Sequence, residues 1–214
     1  MHVLITGANR GIGAALVQSY EARGDTVSAV SRDAAPGLRL DVTSQADHAA
    51  LADNLQGRSI DLLVCNAGVY LDKGHAVGNG YDAEIWAQTF AVNVTGVFKT
   101  IETLLPSLRA VNGSKIVIVS SAMASQTRAP GGSYVYRASK AAVLNLGRNL
   151  SIDLKSQGIA VGIYHPGWVQ TDMGGASADI TVNAAAAGLV QRFDALNMDT
   201  TGCFETWDGQ SIPF

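Results

Sequence analysis

Tyr136 and Lys140 stand four residues apart in a segment with a helical pattern of apolar residues. On a helix, residues at i and i+4 share one face, so the phenol and the ammonium would point the same way. Tyr134 would project to roughly the opposite side, which makes it a poor substitute. A phenol in such a pair can donate and accept a proton, because the neighbouring positive charge favours the phenolate. Taken alone, however, a Tyr–Lys pair on a helix is commonly a surface coincidence.

A serine at a strand end and an asparagine inside a helical pattern are further polar residues to consider. A predicted strand at residues 114–120 runs into Ser121, which stands fifteen residues before Tyr136. A serine hydroxyl can donate a hydrogen bond to an oxygen on which charge develops. Asn93 lies inside a long helical pattern at 82–108, where an amide costs free energy unless it is hydrogen-bonded. An amide satisfied by its own helix backbone is an equal alternative.

A glycine-rich turn near the start of the chain indicates a site for a phosphate. An apolar, β-branched run at residues 2–5 precedes the turn, and a helical pattern begins at Gly11. Gly7 permits a tight turn, Gly11 lets the backbone approach a ligand, and Gly13 lets the helix lie close to the strand. The helix N-terminus offers free N–H groups to an anion. No Gly-Lys-Ser/Thr follows, which disfavours a nucleoside-triphosphate loop, while a plain turn and a methyltransferase stay open.

Charged residues follow the second and third predicted strands. No acid stands directly after the strand at 26–30, where it would bond the ribose hydroxyls of NAD. Arg32 stands there and, with Arg10 of the glycine turn, could meet a 2′-phosphate, although two solvated arginines are the alternative. Asp33 could turn inward and take the ribose hydroxyls instead, but its place beyond Arg32 favours its facing away. Asp41 follows a short possible strand at residues 37–40 and could belong to the site or cap the next helix.

The fourth strand-like run, residues 60–65, contains Cys65 in an apolar setting where a buried free thiol is ordinary. Cys65 and Cys203 are too few and too far apart for a disulfide framework. The run ends in Asn-Ala-Gly at residues 66–68, whose small side chains give a flat surface that a ring could lie against. A plain strand-ending turn is the alternative.

The elements that must position these residues alternate along the chain. Beside the strands above, residues 159–164 read as a strand, and helical patterns occupy 11–23, 44–55, 82–108, 134–156 and 181–196. Strands alternating with helices predict right-handed crossovers and a parallel sheet covered on both faces, the Rossmann-type doubly wound α/β fold. Ligands bind such sheets beyond the carboxyl ends of the strands, which is where the polar residues lie.

The whole chain sets further limits. Its 214 residues and 22.3 kDa predict one domain over residues 1–214. A net charge of −3 argues against nucleic-acid binding, which normally shows a basic stripe. The apolar runs stop well short of the ~20 residues that a bilayer needs, and no signal peptide is evident. We expect a cytoplasmic protein with no membrane or metal site.

At these residues the sequence resembles the short-chain dehydrogenase/reductase family, and the resemblance covers essentially the whole chain. It rests on Thr6-Gly7-x-x-x-Gly11-x-Gly13, Asn66-Ala67-Gly68, Asn93, Ser121, Tyr136-x-x-x-Lys140 and Pro166-Gly167 with Thr171. Residues 136–142, 166–175 and 207–214 are similar to the carbonyl-reductase-like branch that includes the bacterial C-factor proteins. The methyltransferase alternative does not account for these later motifs.

The resemblance implies hydride transfer between a nicotinamide and a carbonyl or alcohol. Tyr136 would be the general acid and base, with its pKa lowered by Lys140 and by the oxidised nicotinamide. Ser121 would bond the substrate oxygen. The link from Ser121 to Tyr136 is longer than in most members, so Ser125 is the reserve. Asn93 would hold a water that connects Lys140 to solvent.

The resemblance also implies the cofactor site. Lys140 would bond the nicotinamide ribose, Thr171 the carboxamide or phosphates, and Asp41 the adenine amine. The residues expected to bind cofactor are Gly7, Asn9, Arg10, Gly11, Ile12, Gly13, Arg32, Asp41, Val42, Asn66, Ala67, Gly68, Tyr136, Lys140, Pro166, Gly167, Val169 and Thr171. With the arginines at the adenosine end, we expect NADP(H) to be preferred over NAD(H).

Two expectations concern partners. The apolar surplus of the helices at 82–108 and 134–156, together with the pairing habits of the family, predicts a homo-oligomer, either a dimer or a tetramer. The substrate would be a small carbonyl or alcohol.

The alternative function is a cofactor-binding signalling or scaffold protein of the C-factor type, in which catalysis is incidental. The complete set of Ser, Tyr, Lys and Asn argues against it, because a pure sensor has no chemical need for all four.

Overall fold

The computed structural model describes residues 1–35 and 38–214. Its strands form one six-stranded sheet, with the order β2-β1-β3-β4-β5-β6 and parallel pairing throughout. The strands are β1 (His2–Thr6), β2 (Thr26–Val30), β3 (Leu62–Cys65), β4 (Lys115–Val119), β5 (Ala160–His165) and β6 (Phe204–Thr206). The chain order reverses beside β1, and the clefts of such sheets form at this switch point.

The strands are apolar because both faces of the sheet are covered. All four residues of β3 are buried, and the last four of both β1 and β4 are buried as well. A strand buried on both faces reads as a continuous apolar run rather than an alternating one. The central strands therefore show this pattern most clearly in the sequence.

The described residues form six α-helices, of which five cover the sheet. The six are α1 (Gly11–Ala22), α2 (Gln45–Leu55), α3 (Ala83–Phe90), α4 (Val97–Arg109), α5 (Tyr134–Asp153) and α6 (Val182–Ala195). Helices α1 and α6 pack on one face, and α2, α4 and α5 pack on the other. The doubly wound fold predicted from the sequence is confirmed. No helix in the described part of the chain has the length and apolarity needed to cross a membrane.

The long helical pattern at 82–108 is not one uniform α-helix. A π-helical segment, Ala91–Gly96, lies between α3 and α4 and contains Asn93. The pattern at 134–156 likewise ends as α5 at Asp153, followed by a 3₁₀ turn at Lys155–Gln157. Wide-turn segments of the π type occur frequently at functional sites.

The sequence prediction differs from the structure at two short strands. The sequence analysis did not predict β6, whose three residues are too few to show a pattern. The possible strand at 37–40 begins outside the described residues. Of its described residues, Arg39 forms a single parallel bridge with Ser31.

Candidate active site

A cleft of about 710 Å³ lies at the carboxyl edge of the sheet. Most of the residues predicted to bind cofactor line it, namely Gly7, Asn9, Arg10, Gly11, Ile12, Arg32, Asp41, Val42, Asn66, Ala67, Gly68, Tyr136, Lys140, Pro166 and Thr171. Five predicted site residues are not among its lining: Gly13, Asn93, Ser121, Gly167 and Val169. The volume falls within the range usual for small-molecule and cofactor sites.

The glycine turn is shaped by contacts across the two central strands. Gly7 has a φ of +64°, and a Cβ on Gly13 would lie 2.2 Å from the carbonyl oxygen of Gly7. Glycine is required at both positions, because one needs left-handed backbone and the other leaves no room for a side chain. The Asn66 side chain donates to the carbonyls of Thr6 and Gly7 at 3.0 and 3.1 Å. Asn66 therefore holds the turn from beneath.

The end of the cleft beside β2 carries both predicted arginines. Arg10 and Arg32 are exposed and line the cleft. Arg10 also donates to Asp172 at 2.6 Å, an ion pair between largely exposed side chains. Exposed pairs contribute at most about 1 kcal/mol. Arg10 can therefore exchange Asp172 for a phosphate at small cost.

Asp33 does not face away, contrary to the expectation from its place beyond Arg32. It lines the cleft, and Asn9 donates to its carboxylate at 3.0 Å. The chain turns at Arg32 and Asp33, which brings Asp33 back over the glycine turn. Sequence order alone could not show this reversal.

Asp41 lines the cleft but does not cap α2. Its carboxylate accepts hydrogen bonds from the N–H and hydroxyl of Thr43 at 2.9 and 2.7 Å, and these bonds lower its pKa. The cap is Ser44, whose hydroxyl accepts from the N–H of Asp47 at 3.2 Å. Of the two roles left open by the sequence, the capping role is therefore wrong.

Tyr136 and Lys140 lie on one face of α5, as their spacing predicts. They are 7% and 6% exposed, and the Lys140 Nζ lies 5.7 Å from the centre of the Tyr136 ring. Tyr134 is exposed and contacts Tyr81 instead. The pair is therefore a buried feature of the cleft rather than a surface coincidence.

Among the protein's own groups, burial sets the direction in which the pKa of Tyr136 moves. Burial raises it to about 12, because the phenolate is the form that loses hydration. The Ser121 hydroxyl counters a smaller part of that rise, which places Ser121 beside the phenol. Within the protein's own groups, Tyr136 is thus held protonated and suited to donate a proton.

Lys140 is buried with few partners. Its ammonium donates to the carbonyl oxygen of Val119 at 3.0 Å, and burial lowers its pKa to about 8. An ammonium has three N–H donors, and this bond uses one of them. The other two suit a diol such as the ribose of a nucleotide, which gives a physical basis for the predicted contact.

Asn93 forms hydrogen bonds with groups outside its own helix. Its amide accepts from the Val69 N–H at 2.8 Å and donates to the Val69 carbonyl at 2.9 Å and to the Ser139 hydroxyl at 3.0 Å. The alternative of an amide satisfied by its own helix is therefore wrong. The side chain fixes the loop after β3 onto α5, and the predicted water-holding role stays a prediction.

The segment after β5 folds over the cleft from one side. The Thr171 hydroxyl accepts from the Gly174 N–H at 3.1 Å, which closes a tight turn. Val169 is buried and bridges to Ile180, and a Cβ on Gly167 would lie 2.4 Å from the Ile180 side chain. Gly167 and Val169 thus support the segment, while Pro166 and Thr171 line the cleft.

The sequence analysis missed some polar residues around Tyr136 and the cleft. Ser120, Asp33 and Asp172 line the cleft, and the Ser120 hydroxyl donates to the carbonyl of Lys140 at 3.2 Å. Tyr70 stacks on Tyr136, with ring centres 4.2 Å apart. The sequence analysis itself considers Asp33, and Ser120 could have been found from the sequence because it ends the same predicted strand as Ser121.

The fold and this site together define a class of protein. The sequence profile of the family described as short chain dehydrogenase matches residues 1–180. The chain therefore belongs to the short-chain dehydrogenase/reductase family, and the resemblance drawn from its motifs is confirmed.

Three known proteins illustrate this membership. The C-signal protein of Myxococcus xanthus is 36% identical over 166 residues, which cover 77% of this chain and 99% of that protein. The 1-hydroxy-2-glutathionyl-2-methyl-3-butene dehydrogenase of Rhodococcus sp. (strain AD45) is 37% identical, covering 97% of this chain and 96% of that protein. The NADPH-bound carbonyl reductase from chicken fatty liver superposes with a TM-score of 0.87 at 26% identity, covering 100% of this chain and 98% of that chain.

These findings confirm an oxidoreductase of the carbonyl-reductase-like type. They do not favour the alternative of a signalling or scaffold protein, although one similar protein is named C-signal. The methyltransferase alternative is also removed, because the matched family is a dehydrogenase family.

Proposed function

We propose that the protein is an NADP(H)-dependent carbonyl reductase in which Tyr136 transfers the proton. The supporting observation is the buried pair of Tyr136 and Lys140 on one face of α5, at the cleft and beside Ser121. A phenol, an ammonium and a serine hydroxyl at the carboxyl edge of a parallel sheet are the groups that carbonyl reduction needs.

The residues present fit a nicotinamide dinucleotide. The turn formed by residues 7–13 leaves its backbone open because side chains are excluded at Gly7 and Gly13, and the N–H groups of α1 begin there. Lys140 keeps donors for a ribose diol. When bound, the cofactor supplies or accepts the hydride at the carbonyl carbon.

The chain's own residues then handle the oxygen and the proton. Ser121 donates a hydrogen bond to the substrate oxygen as charge develops on it. Tyr136 delivers its proton to that oxygen and becomes a phenolate. The Lys140 ammonium stabilises this phenolate through its positive charge. In the opposite direction the phenolate accepts the proton of an alcohol.

The preference for NADP(H) is proposed from the adenosine end of the cleft. A 2′-phosphate carries close to two negative charges and needs cationic donors. Arg10 and Arg32 line that end, and the chicken carbonyl reductase that this chain resembles is an NADPH-bound protein. Asp33 is the opposing feature, because a carboxylate there could accept ribose hydroxyls. The Asn9 amide engages one of its oxygens.

The decisive test replaces the phenol. Tyr136→Phe should lower kcat about a hundredfold or more, because a general acid is lost, while the Kd for NADPH stays close to wild type. Reduction of a panel of aldehydes and ketones that includes benzaldehyde, followed through NADPH absorbance, gives kcat, and fluorescence titration gives Kd. Near-normal turnover by Tyr136→Phe would refute the mechanism.

The two serines provide a matched comparison. Ser121→Ala should lose the larger part of kcat, because Ser121 lies beside the phenol. Ser125 is buried, and its hydroxyl has no partner among the described residues. Ser125→Ala should therefore leave kcat within a fewfold of wild type. A greater loss in Ser125→Ala would transfer the role to that serine.

A further inference from the structure

Asp72 is a carboxylate with no accessible surface, and it lies outside every motif discussed above. Its Oδ2 accepts a hydrogen bond from the Val135 N–H at 2.9 Å, and its Oδ1 accepts one from the Tyr136 N–H at 3.2 Å. These are amides of the first turn of α5, which lack partners within the helix. A buried carboxylate is costly unless it is hydrogen-bonded. Asp72 therefore fixes the backbone of Tyr136 itself.

The residue at the N-cap of α5 does not bond these amides with its side chain, and Asp72 does so instead. Ser133 occupies the N-cap position with a φ of +50° and makes no capping bond with its side chain. A serine at this position ordinarily bonds an amide two or three residues on. The Ser133 hydroxyl instead pairs with the hydroxyl of Tyr70. The start of α5 is thus held from the loop after β3.

The same loop contacts the ring of Tyr136. Tyr70 stacks on it, with ring centres 4.2 Å apart and planes 23° apart. Asn93 anchors the loop at its other end through the backbone of Val69. We call residues 69–72 the tyrosine clamp. The clamp touches the ring of Tyr136, its amide and the cap before it.

We propose that the tyrosine clamp positions Tyr136 for proton transfer, with Asp72 and Tyr70 as its positioning residues. This inference rests on the proposed function of Tyr136. It goes beyond it by assigning the alignment of the phenol to a loop that contributes no catalytic group of its own.

Charge gives the clamp an effect that packing alone would not have. The groups that face the phenol are Lys140 from α5, Ser121 from the end of β4, and Tyr70 and Asp72 from the clamp. Asp72 adds to the rise in the pKa of Tyr136, because a negative charge disfavours a second one nearby. Removing that charge should make the phenol more acidic.

The test is Asp72→Asn, which keeps the shape, removes the charge and leaves one oxygen to accept where the carboxylate has two. Reduction of benzaldehyde, or of the panel member reduced fastest, should fall about tenfold in kcat, with Kd for NADPH changed less than about threefold. The limb of the kcat profile at which Tyr136 loses its proton should lie at lower pH in Asp72→Asn than in the wild type, because a negative charge beside the phenol is lost. Asp61→Asn is the matched control, because Asp61 accepts from the His2 N–H at 2.6 Å at the opposite edge of the sheet.

A second pair of variants keeps the test valid if Asp72→Asn does not fold. Tyr70→Leu removes the stacked ring and should lower kcat several-fold without weakening NADPH, whereas Tyr70→Phe keeps the ring and should restore most of kcat. Equal kcat in these two variants, or a pH limb in Asp72→Asn that matches wild type, overturns the proposal. If Tyr136→Phe is inactive in the same assays, the proposed function still stands.

Discussion

Arg32 is the residue on which the proposed cofactor preference depends most. Arg32→Ala should weaken NADPH binding about tenfold, because one charge-assisted contact to a partly solvated phosphate is lost. NADH binding should hardly change. Fluorescence titration of both cofactors at low and high salt measures this, and the NADPH preference of wild type should shrink as salt rises.

Two variants decide between the arginine and the nearby acid. Arg39→Ala is the control, since Arg39 is exposed and is not among the residues that line the cleft. Asp33→Asn should leave NADH affinity unchanged if Asp33 takes no part in binding. Equal affinities of wild type for the two cofactors, or tighter binding of NADH, would mean that the arginines are only surface charge. A loss of NADH binding in Asp33→Asn would show that Asp33 takes the ribose hydroxyls.

The buried ammonium of Lys140 should lower the free energy of unfolding of the wild type. Its folded-state pKa of about 8 lies below that of an exposed lysine, so the unfolded chain binds more protons between about pH 8 and 10.5. The stability of the wild type should therefore rise with pH through this window. Lys140→Met should be inactive yet about 2 kcal/mol more stable at pH 7, after allowing for its lost hydrogen bond.

The pH dependence of that gain identifies its cause. Urea unfolding at pH 7 and at about pH 9.5 should show the advantage of Lys140→Met falling by more than half, because wild-type Lys140 is then largely neutral in the folded state. Lys99→Met is the control, since Lys99 is exposed. An advantage that stays constant with pH would point to packing rather than to the buried charge.

At the residue scale, the sequence predicts what local spacing determines. The i, i+4 relation places Tyr136 and Lys140 on one face, and a strand end places Ser121 beside them. The partners of Asn93 and Asp72 lie 24 to 64 residues away in the chain. These contacts follow from how β3, the π segment and α5 pack, so no local pattern could reveal them. The pKa of Tyr136 could not be predicted for the same reason, because burial sets it.

At the scale of elements, the π segment Ala91–Gly96 brings Asn93 to the loop after β3 and sets Gly96 against the cleft wall. A Cβ on Gly96 would lie 2.7 Å from the Val42 Cγ2 and 3.0 Å from the Val42 carbonyl oxygen. Gly96→Ala should therefore push residue 42 outward and destabilise the fold by about 1–3 kcal/mol. Because Val42 lines the cleft, NADPH affinity should fall as well. Urea unfolding and fluorescence titration measure both effects.

Thr95→Ala is the matched control for that variant. Thr95 is the exposed neighbour of Gly96 in the same π segment, and surface changes of this kind usually alter stability by no more than about 0.5 kcal/mol. If Gly96→Ala is as stable as Thr95→Ala, the close approach to Val42 does not constrain the segment.

Most elements could be predicted, because an apolar strand or an amphipathic helix shows its pattern within a short stretch of sequence. The π segment could not, since its extra residue per turn leaves the apolar pattern of 82–108 almost unchanged. Strand β6 pairs with β5 at one edge of the sheet, and its three residues carry no periodicity. The position of Asn93 at the site depends on the π segment, which the sequence pattern does not reveal.

At the scale of the whole molecule, the predicted homo-oligomer follows from apolar surface left on α3, α4 and α5. Trp86, Phe98, Tyr134 and Ile152 are exposed on these helices, and Ile152 is 72% exposed. Exposed apolar surface of this kind can mark an interface, and a two-fold interface is the usual solution. Light scattering at micromolar concentration should give two or four times the 22.3 kDa chain mass. Phe98→Glu with Ile152→Glu should return it to one chain, whereas Val77→Glu, at a 75% exposed apolar residue outside these helices, should not. A wild-type mass of one chain would contradict the prediction.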